Sequence, residues 1–234
     1  MTGAAQLPLD LGHRPALGRE DFMVASCNEV AVAWIDRWPD WPGVALALHG
    51  PAACGKTHLA HVWRARSAAI EISPDSLADT EPRAILGSAT ACALEDVEAA
   101  LAAGHLAEER LLHLYNLVAE GGGHILLTGQ TPPARWPVKL ADLRSRLRAA
   151  TAVAMAAPDD ALIEAVLVKL FADRQLRVDA GVVRFLIARM ERSFAAARAI
   201  VAAMDRAALA DRRGITVPLA RRVLAEQSAV AAGT

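Results

Sequence analysis

The sequence predicts an α/β protein, a mostly parallel sheet covered by helices and followed by a small all-α unit. Three observations carry this. Short apolar runs alternate with amphipathic stretches up to about residue 156, the pattern of parallel strands joined by crossover helices. After Pro158 only helical periodicity continues. Between the first strong strand and its helix lies Gly50-Pro51-Ala52-Ala53-Cys54-Gly55-Lys56-Thr57, which fits G-x-x-x-x-G-K-[ST].

Taken in order, residues 1–19 carry Pro8, Pro15 and three glycines without periodicity and read as an extended lead-in. A helix is expected from Ser26, as N-cap, to about Arg37, ended by Pro39 and Pro42. Val44–His49 is a buried strand and Thr57–Arg66 a helix. Ala69–Ile72 and Thr90–Leu94 are short strands, and Leu106–Ala119 is an amphipathic helix. Gly121-Gly122-Gly123 ends it and opens the strand His124–Thr128. Leu140–Ala149 is a helix and Thr151–Met155 a strand. Asp159–Asp173, Ala180–Met190, Ser193–Asp211 and Val217–Gln227 follow as helices. The expected organisation is therefore a segment 1–19, a core 20–157 and a helical domain 158–234.

Composition agrees. Of 234 residues, 52 are Ala, which favours helix. No apolar stretch is long enough for a membrane span, and no signal-peptide pattern opens the chain. Three cysteines without C-x-x-C spacing argue against a disulfide framework or a zinc site and favour a reducing cytoplasm. A net charge of −1 argues against a broadly cationic nucleic-acid binder. Arginine outnumbers lysine 22 to three, so Lys56 is conspicuous.

The chemistry centres on the glycine loop. Gly50 and Gly55 let the backbone wrap a phosphate, with Pro51, Ala52, Ala53 and Cys54 supplying the turn between them. The following helix, from Lys56, Thr57 and His58, offers its positive end. Lys56 would reach the β- and γ-phosphates of ATP or ADP, and the Thr57 hydroxyl would hold Mg²⁺. By chance the pattern would occur in about one in a thousand sequences of this composition. Glu95 and Asp96 end the strand Ala91–Leu94, where Glu95 would hold Mg²⁺ or its waters and Asp96 would orient the attacking water. Glu in place of the usual Asp disfavours efficient self-hydrolysis. An ordinary acidic turn is the plainer alternative. Thr128, at the end of the next strand, is a γ-phosphate sensor candidate. Arg144, Arg146 and Arg148 stand at i, i+2 and i+4 on one helix. Such an arginine can stabilise a transferring phosphoryl group in a neighbouring subunit, although a solvated basic helix explains the same pattern. Arg192 and Arg198 are candidates for a second nucleotide contact.

These motifs, in this order, resemble the DnaA/Hda family of AAA+ ATPases. Leu94-Glu95-Asp96-Val97, Leu126-Leu127-Thr128-Gly129 with Pro132-Pro133, and Leu143-Arg144-Ser145-Arg146-Leu147 carry the likeness, which covers about residues 19–228. It implies an AAA+ P-loop NTPase core with an α-helical lid. It also implies an adenine-side segment at Met23, Val24 and Asn28, and a role for Arg146 in trans. The lid arginine of the family aligns within Arg192–Arg198, with Ala195 as the other alignment.

Gln6-Leu7-Pro8-Leu9-Asp10-Leu11 is similar to the family's sliding-clamp peptide: Gln6 for a hydrogen bond, Leu7, Leu9 and Leu11 as apolar anchors. The sequence ends soon after the expected lid, so a C-terminal helix-turn-helix domain is not expected. The resemblance implies a cytoplasmic regulator that docks on the DNA polymerase III sliding clamp (beta subunit) and meets DNA only indirectly. It would stimulate ATP hydrolysis by the initiator DnaA and so restrain replication initiation. It would have weak ATPase activity of its own at most, and self-association into a homo-oligomer is open. The alternative is a DNA-acting AAA+ ATPase, a truncated initiator or helicase loader, with intrinsic turnover and salt-dependent DNA affinity. A small-molecule kinase is disfavoured because no substrate cluster appears beyond the nucleotide site.

Overall fold

Five parallel strands form the centre of the molecule in the order β2-β3-β4-β1-β5. They are β1 (Ala45–His49), β2 (Ile70–Ile72), β3 (Ala91–Leu94), β4 (His124–Gly129) and β5 (Thr151–Ala154). The computed structural model of the chain describes residues 23–211 and 214–232.

All five strands run the same way, so every strand needs a crossover, and helices cover both faces. The side-chain alternation sorts the core. Ala45, Ala47, Cys92, Leu94, Ile125 and Leu127 face one helical layer, containing α6 (Glu108–Glu120) and α7 (Ala141–Ala149). Leu46, Leu48, Ala91, Ala93, Leu126 and Val153 face the other, formed by α1 (Glu29–Asp36) and α2 (Lys56–Ser67). On that second side the Trp41 ring stacks on Trp63 with centroids 5.2 Å apart. Trp63 is fully buried.

The strand order positions the site. β4 lies between β1 and β3, so the phosphate loop after β1 and the acidic end of β3 flank the end of β4. Leu48 pairs with Thr128 and His49 with Gly129. Gly50 has to be glycine because a Cβ would lie 2.0 Å from the Met155 carbonyl oxygen. Close approach of β5 to the loop demands that absence of side chain.

Expected and observed elements differ in two respects. α1 starts at Glu29 with Asn28, not Ser26, at the N-cap. Asn28 is buried and uses its amide to fix the preceding turn, accepting from Ala25 N–H at 2.9 Å and donating to the Met23 carbonyl at 3.0 Å. Three short helices, α3 (Pro74–Asp79), α4 (Pro82–Leu86) and α5 (Val97–Ala102), fill stretches in which the sequence predicts no element. Each is too short to show a helical period. Their signals are local: Ser73 caps α3 by accepting from Ser76 N–H, and proline opens both α3 and α4.

After β5 the chain forms α8 (Asp160–Asp173), α9 (Ala180–Ile187), α10 (Phe194–Asp211) and α11 (Val217–Ala232), which bury a hydrophobic cluster of their own. Asp159 caps α8, accepting from Leu162 N–H at 2.8 Å. Two backbone bonds tie the start of this connection to the core: Met155 N–H to His49 at 2.7 Å and Ala156 N–H to Cys27 at 2.9 Å. No described helix is long and apolar enough to cross a membrane.

Candidate functional site

A cleft of about 680 Å³ opens over the phosphate loop, between the core and α10. Ala52, Ala53, Gly55, Lys56, Thr57 and His58 form its floor. Ala53 at φ 56° and Gly55 at φ 105° take left-handed backbone, which curls the loop round the cleft. Gly55 is the N-cap residue of α2. Lys56 is nearly buried, 7% exposed, and its Nζ donates to the carbonyls of Gly50 at 2.9 Å and Pro51 at 2.8 Å. Cys54 Sγ lies 3.8 Å from the same Nζ. Loop, lysine and helix end thus line one cleft, an arrangement suited to an anion.

Asp96 lines this cleft and Glu95 does not. Asp96 adopts φ 51° and turns the chain sharply after β3. That turn leaves Glu95 in a neighbouring cavity of about 470 Å³ on the β2 side, with Glu71, Ser73 and Asp75. The expected Glu95–metal contact is therefore not assembled here. Thr57 and Asp96 both line the cleft and carry oxygen donors of the kind a hard divalent cation takes. No group of three or more His, Cys, Asp or Glu among the described residues could hold a metal.

Thr128 also departs from expectation. Its hydroxyl is buried and accepts from Asp96 N–H at 2.9 Å, so it braces the left-handed turn instead of lining the cleft. Gly129 and Gln130, the next residues, do line it. Arg192 is corrected as well. Its guanidinium is turned to Asp160, with Nη2 donating at 3.1 Å, and it is absent from the cleft wall. Arg198, on α10, lines the cleft together with Phe194 and Ala195. Among the described residues Arg198 has no hydrogen-bond or ion-pair partner, and loss of hydration lowers its pKa. The Phe194 ring packs over Gly55, 3.2 Å from where a Cβ would stand. Met23, Val24 and Asn28 form a turn beside residue 156, and they are not part of the phosphate cleft. Gln6, Leu7, Leu9 and Leu11 lie outside the described residues.

Comparison with known proteins places this geometry. Residues 160–224 match the family model described as Hda, lid domain. The initiator DnaA of Caulobacter vibrioides is 28% identical over 166 residues, which cover 62% of this chain and 34% of that protein. The chain thus spans about a third of the length of the curated relatives it matches. Domain III of the Thermotoga maritima initiator DnaA superposes with TM-score 0.76 at 16% identity, covering 91% of this chain and 97% of that one. The AMPPCP-bound DnaA of Aquifex aeolicus gives 0.65 at 15%, covering 84% and 66%. The chain is thus similar to the DnaA/Hda family, in its lid by the family model and in its fold by the superposition.

Its fold is accordingly the AAA+ fold of DnaA domain III, with an Hda-type lid from α8 onward. Two further groups stand at the cleft or beside it. Glu98, which the sequence analysis missed, anchors the loop after β4. Its Oε2 accepts from Gln130 and Thr131 N–H, each at 2.8 Å, and its Oε1 accepts from the Thr131 hydroxyl at 2.8 Å. Burial alone would raise its pKa, but these bonds from Thr131 and Gln130 favour the carboxylate and lower it. The only signal was its place in the first turn of α5, two residues past Asp96. His49, at the end of β1, is half-buried; burial first, then Lys56 and Arg135, lowers its pKa, so it stays neutral at physiological pH.

The arginine helix α7 stands apart from the cleft. Arg144 and Arg148 are exposed. Arg146 is half-buried instead: its Cζ lies 5.3 Å from the centroid of the Tyr115 ring on α6, and Nη2 donates to Asp142 at 3.3 Å. Lys56, Thr57, Asp96 and Arg198 therefore share one cleft, and Arg146 lies elsewhere.

Proposed function

We propose that this protein is an adenine-nucleotide-binding regulator of replication initiation that acts on a partner's bound ATP. The core comprises residues 20–157 and the lid 158–234. In its own cleft, backbone N–H groups, Lys56 and Arg198 bind the phosphates of ADP or ATP. Thr57 and Asp96 would hold Mg²⁺, whose chemistry is to neutralise charge on the β- and γ-phosphate oxygens. The nucleotide assignment is supported by the loop geometry and by two DnaA neighbours whose structures are described as bound to AMPPCP.

One observation carries the trans-acting part: Arg146 does not line its own cleft, so any phosphate it serves belongs to another chain. Set beside ATP bound to the initiator DnaA, its guanidinium stabilises the negative charge on the γ-phosphoryl as it leaves, an effect that reaches several powers of ten in such enzymes. Recruitment falls to Gln6, Leu7, Leu9 and Leu11, an extended peptide for the groove of the DNA polymerase III sliding clamp. The protein works in the cytoplasm and reaches DNA through the clamp.

The test measures ATP hydrolysis by the initiator with DNA-loaded clamp, with and without this protein. Arg146→Ala abolishes the stimulation while ADP affinity is kept; normal stimulation by that variant would sink the assignment. The double change Gln6→Ala with Leu9→Ala removes clamp binding in a pull-down, and unchanged capture would refute the docking peptide.

A further inference from the structure

We propose that Tyr115 is a positioning residue for Arg146: its ring holds the guanidinium pre-ordered, so that the arginine enters a partner's nucleotide site without first losing its rotamer freedom. This rests on the trans-acting reading of Arg146 given above.

The three arginines of α7 are treated differently by the fold. Arg144 and Arg148 point to solvent, whereas only 33% of the Arg146 side chain is exposed. Two groups of the same chain hold it. Tyr115 offers the face of a ring that is itself 8% exposed and packed in the core on α6. Asp142 lies one turn earlier on α7, the favourable order for an acid and a base at i and i+4. Its carboxylate accepts from Nη2, and its other oxygen sits 3.3 Å from Nε without hydrogen-bond geometry. Nη1 has no hydrogen-bond partner among the described residues, so one edge of the fork is left for an incoming oxyanion.

The two holds are not equivalent. A phosphate oxygen competes with Asp142 for the same N–H donors, so that contact yields as the guanidinium is engaged. The ring contact uses the guanidinium face and leaves the N–H edge free, so it survives engagement. An arginine free in solution loses much rotamer freedom on docking, and a ring that has already fixed it removes part of that loss. Replacing the ring should lower the maximal stimulation by roughly three- to tenfold.

Tyr115 is the one tyrosine of the chain, so its phenol can be read alone. Burial raises its pKa and the Arg146 charge pulls it down. A single ¹³Cζ-tyrosine resonance, followed against pH in the full chain, should therefore titrate higher in Arg146→Gln and stay in place in Arg144→Gln. An unmoved resonance in Arg146→Gln overturns the proposal.

The functional arm measures initiator ATP hydrolysis with DNA-loaded clamp as the concentration of this protein is varied. Tyr115→Leu lowers the maximum three- to tenfold with the half-saturating concentration unchanged, and Tyr115→Phe, which keeps the ring, restores it. If Tyr115→Leu reaches the wild-type maximum while Arg146→Ala is inactive, the positioning role falls and the trans-acting role stands. If Arg146→Ala stimulates normally, both fall.

Discussion

Changing Arg198 to Gln separates the two lid arginines that the sequence leaves side by side. Arg198 lines the phosphate cleft with no hydrogen-bond or ion-pair partner among the described residues, and Arg192 is paired with Asp160 outside it. A charge-assisted hydrogen bond contributes about 1.5–3 kcal/mol. Arg198 keeps part of its side chain in solvent, which moves the expectation to about 1–2 kcal/mol, or roughly a 5- to 30-fold weaker Kd for ADP. The loss should shrink at high salt, because a cation–phosphate contact is screened. Folding stability should hold or rise slightly, since the guanidinium sits unpaired where loss of hydration already disfavours its charge. Calorimetric titration of ADP into wild type, Arg198→Gln and Arg192→Gln at two salt concentrations tests all three points. Unchanged affinity in Arg198→Gln, with weaker binding in Arg192→Gln, would refute the assignment.

Other expectations follow from single contacts. Gly50→Ala puts a Cβ 2.0 Å from the Met155 oxygen, and Met155 N–H is itself bonded to His49, so the strand ends cannot part cheaply. The expected cost is at least about 2–3 kcal/mol, a fall in Tm of roughly 5–10 °C by calorimetry. Glu98→Gln removes the charge that holds the loop after β4; the amides of Gln130 and Thr131 should exchange about tenfold faster by hydrogen-exchange NMR. His49 and His124 both have pKa values lowered from 6.5, chiefly by burial. The unfolded chain therefore takes up protons first, so their contribution is complete above about pH 6.5 and is lost as pH falls through the lower folded values. Tm measured between pH 7.5 and 5.5 should decline less steeply in His49→Asn with His124→Asn.

How much of this was legible depended on the kind of signal. The sheet could be read because Ala45–His49 and His124–Gly129 are apolar runs closed by Gly-Pro and Thr-Gly, and such runs declare themselves locally. The phosphate loop could be read because its spacing is fixed by the phosphate it wraps. α3, α4 and α5 span five or six residues each, less than two turns, so no period could reveal them. Site residues split in the same way. Lys56 and Thr57 are fixed by the motif, but the direction of Glu95 depends on one left-handed residue, Asp96, and on the Thr128 hydroxyl that braces it from another strand. Arg192 stands two residues before α10 and Arg198 lies on it. Which one faces the cleft is decided by where α10 begins, with Phe194 against Gly55, and by Asp160 capturing Arg192. Neither fact is written in the local sequence.

The placement of carboxylates bears on turnover. A hydrolase needs an anionic group free to orient the attacking water as well as one for the metal. Glu98 lines the cleft, yet both of its oxygens are taken by the Gln130 and Thr131 donors, and it acts as a brace. Glu95 faces the cavity on the β2 side. Asp96 is thus the carboxylate left to the cleft among the described residues, and its backbone is pinned by Thr128. One group cannot both hold a cation and poise a water. The same cleft retains the binding elements, the curled loop, Lys56 and Arg198. Such an arrangement favours binding of nucleotide over its conversion, in keeping with the proposed action of Arg146 on another chain's ATP. Single-turnover ATP hydrolysis by the isolated protein should accordingly be slow, and Asp96→Asn should weaken the Mg²⁺ dependence of nucleotide binding more than it changes that already slow rate; a fast single turnover by the wild type would refute the argument.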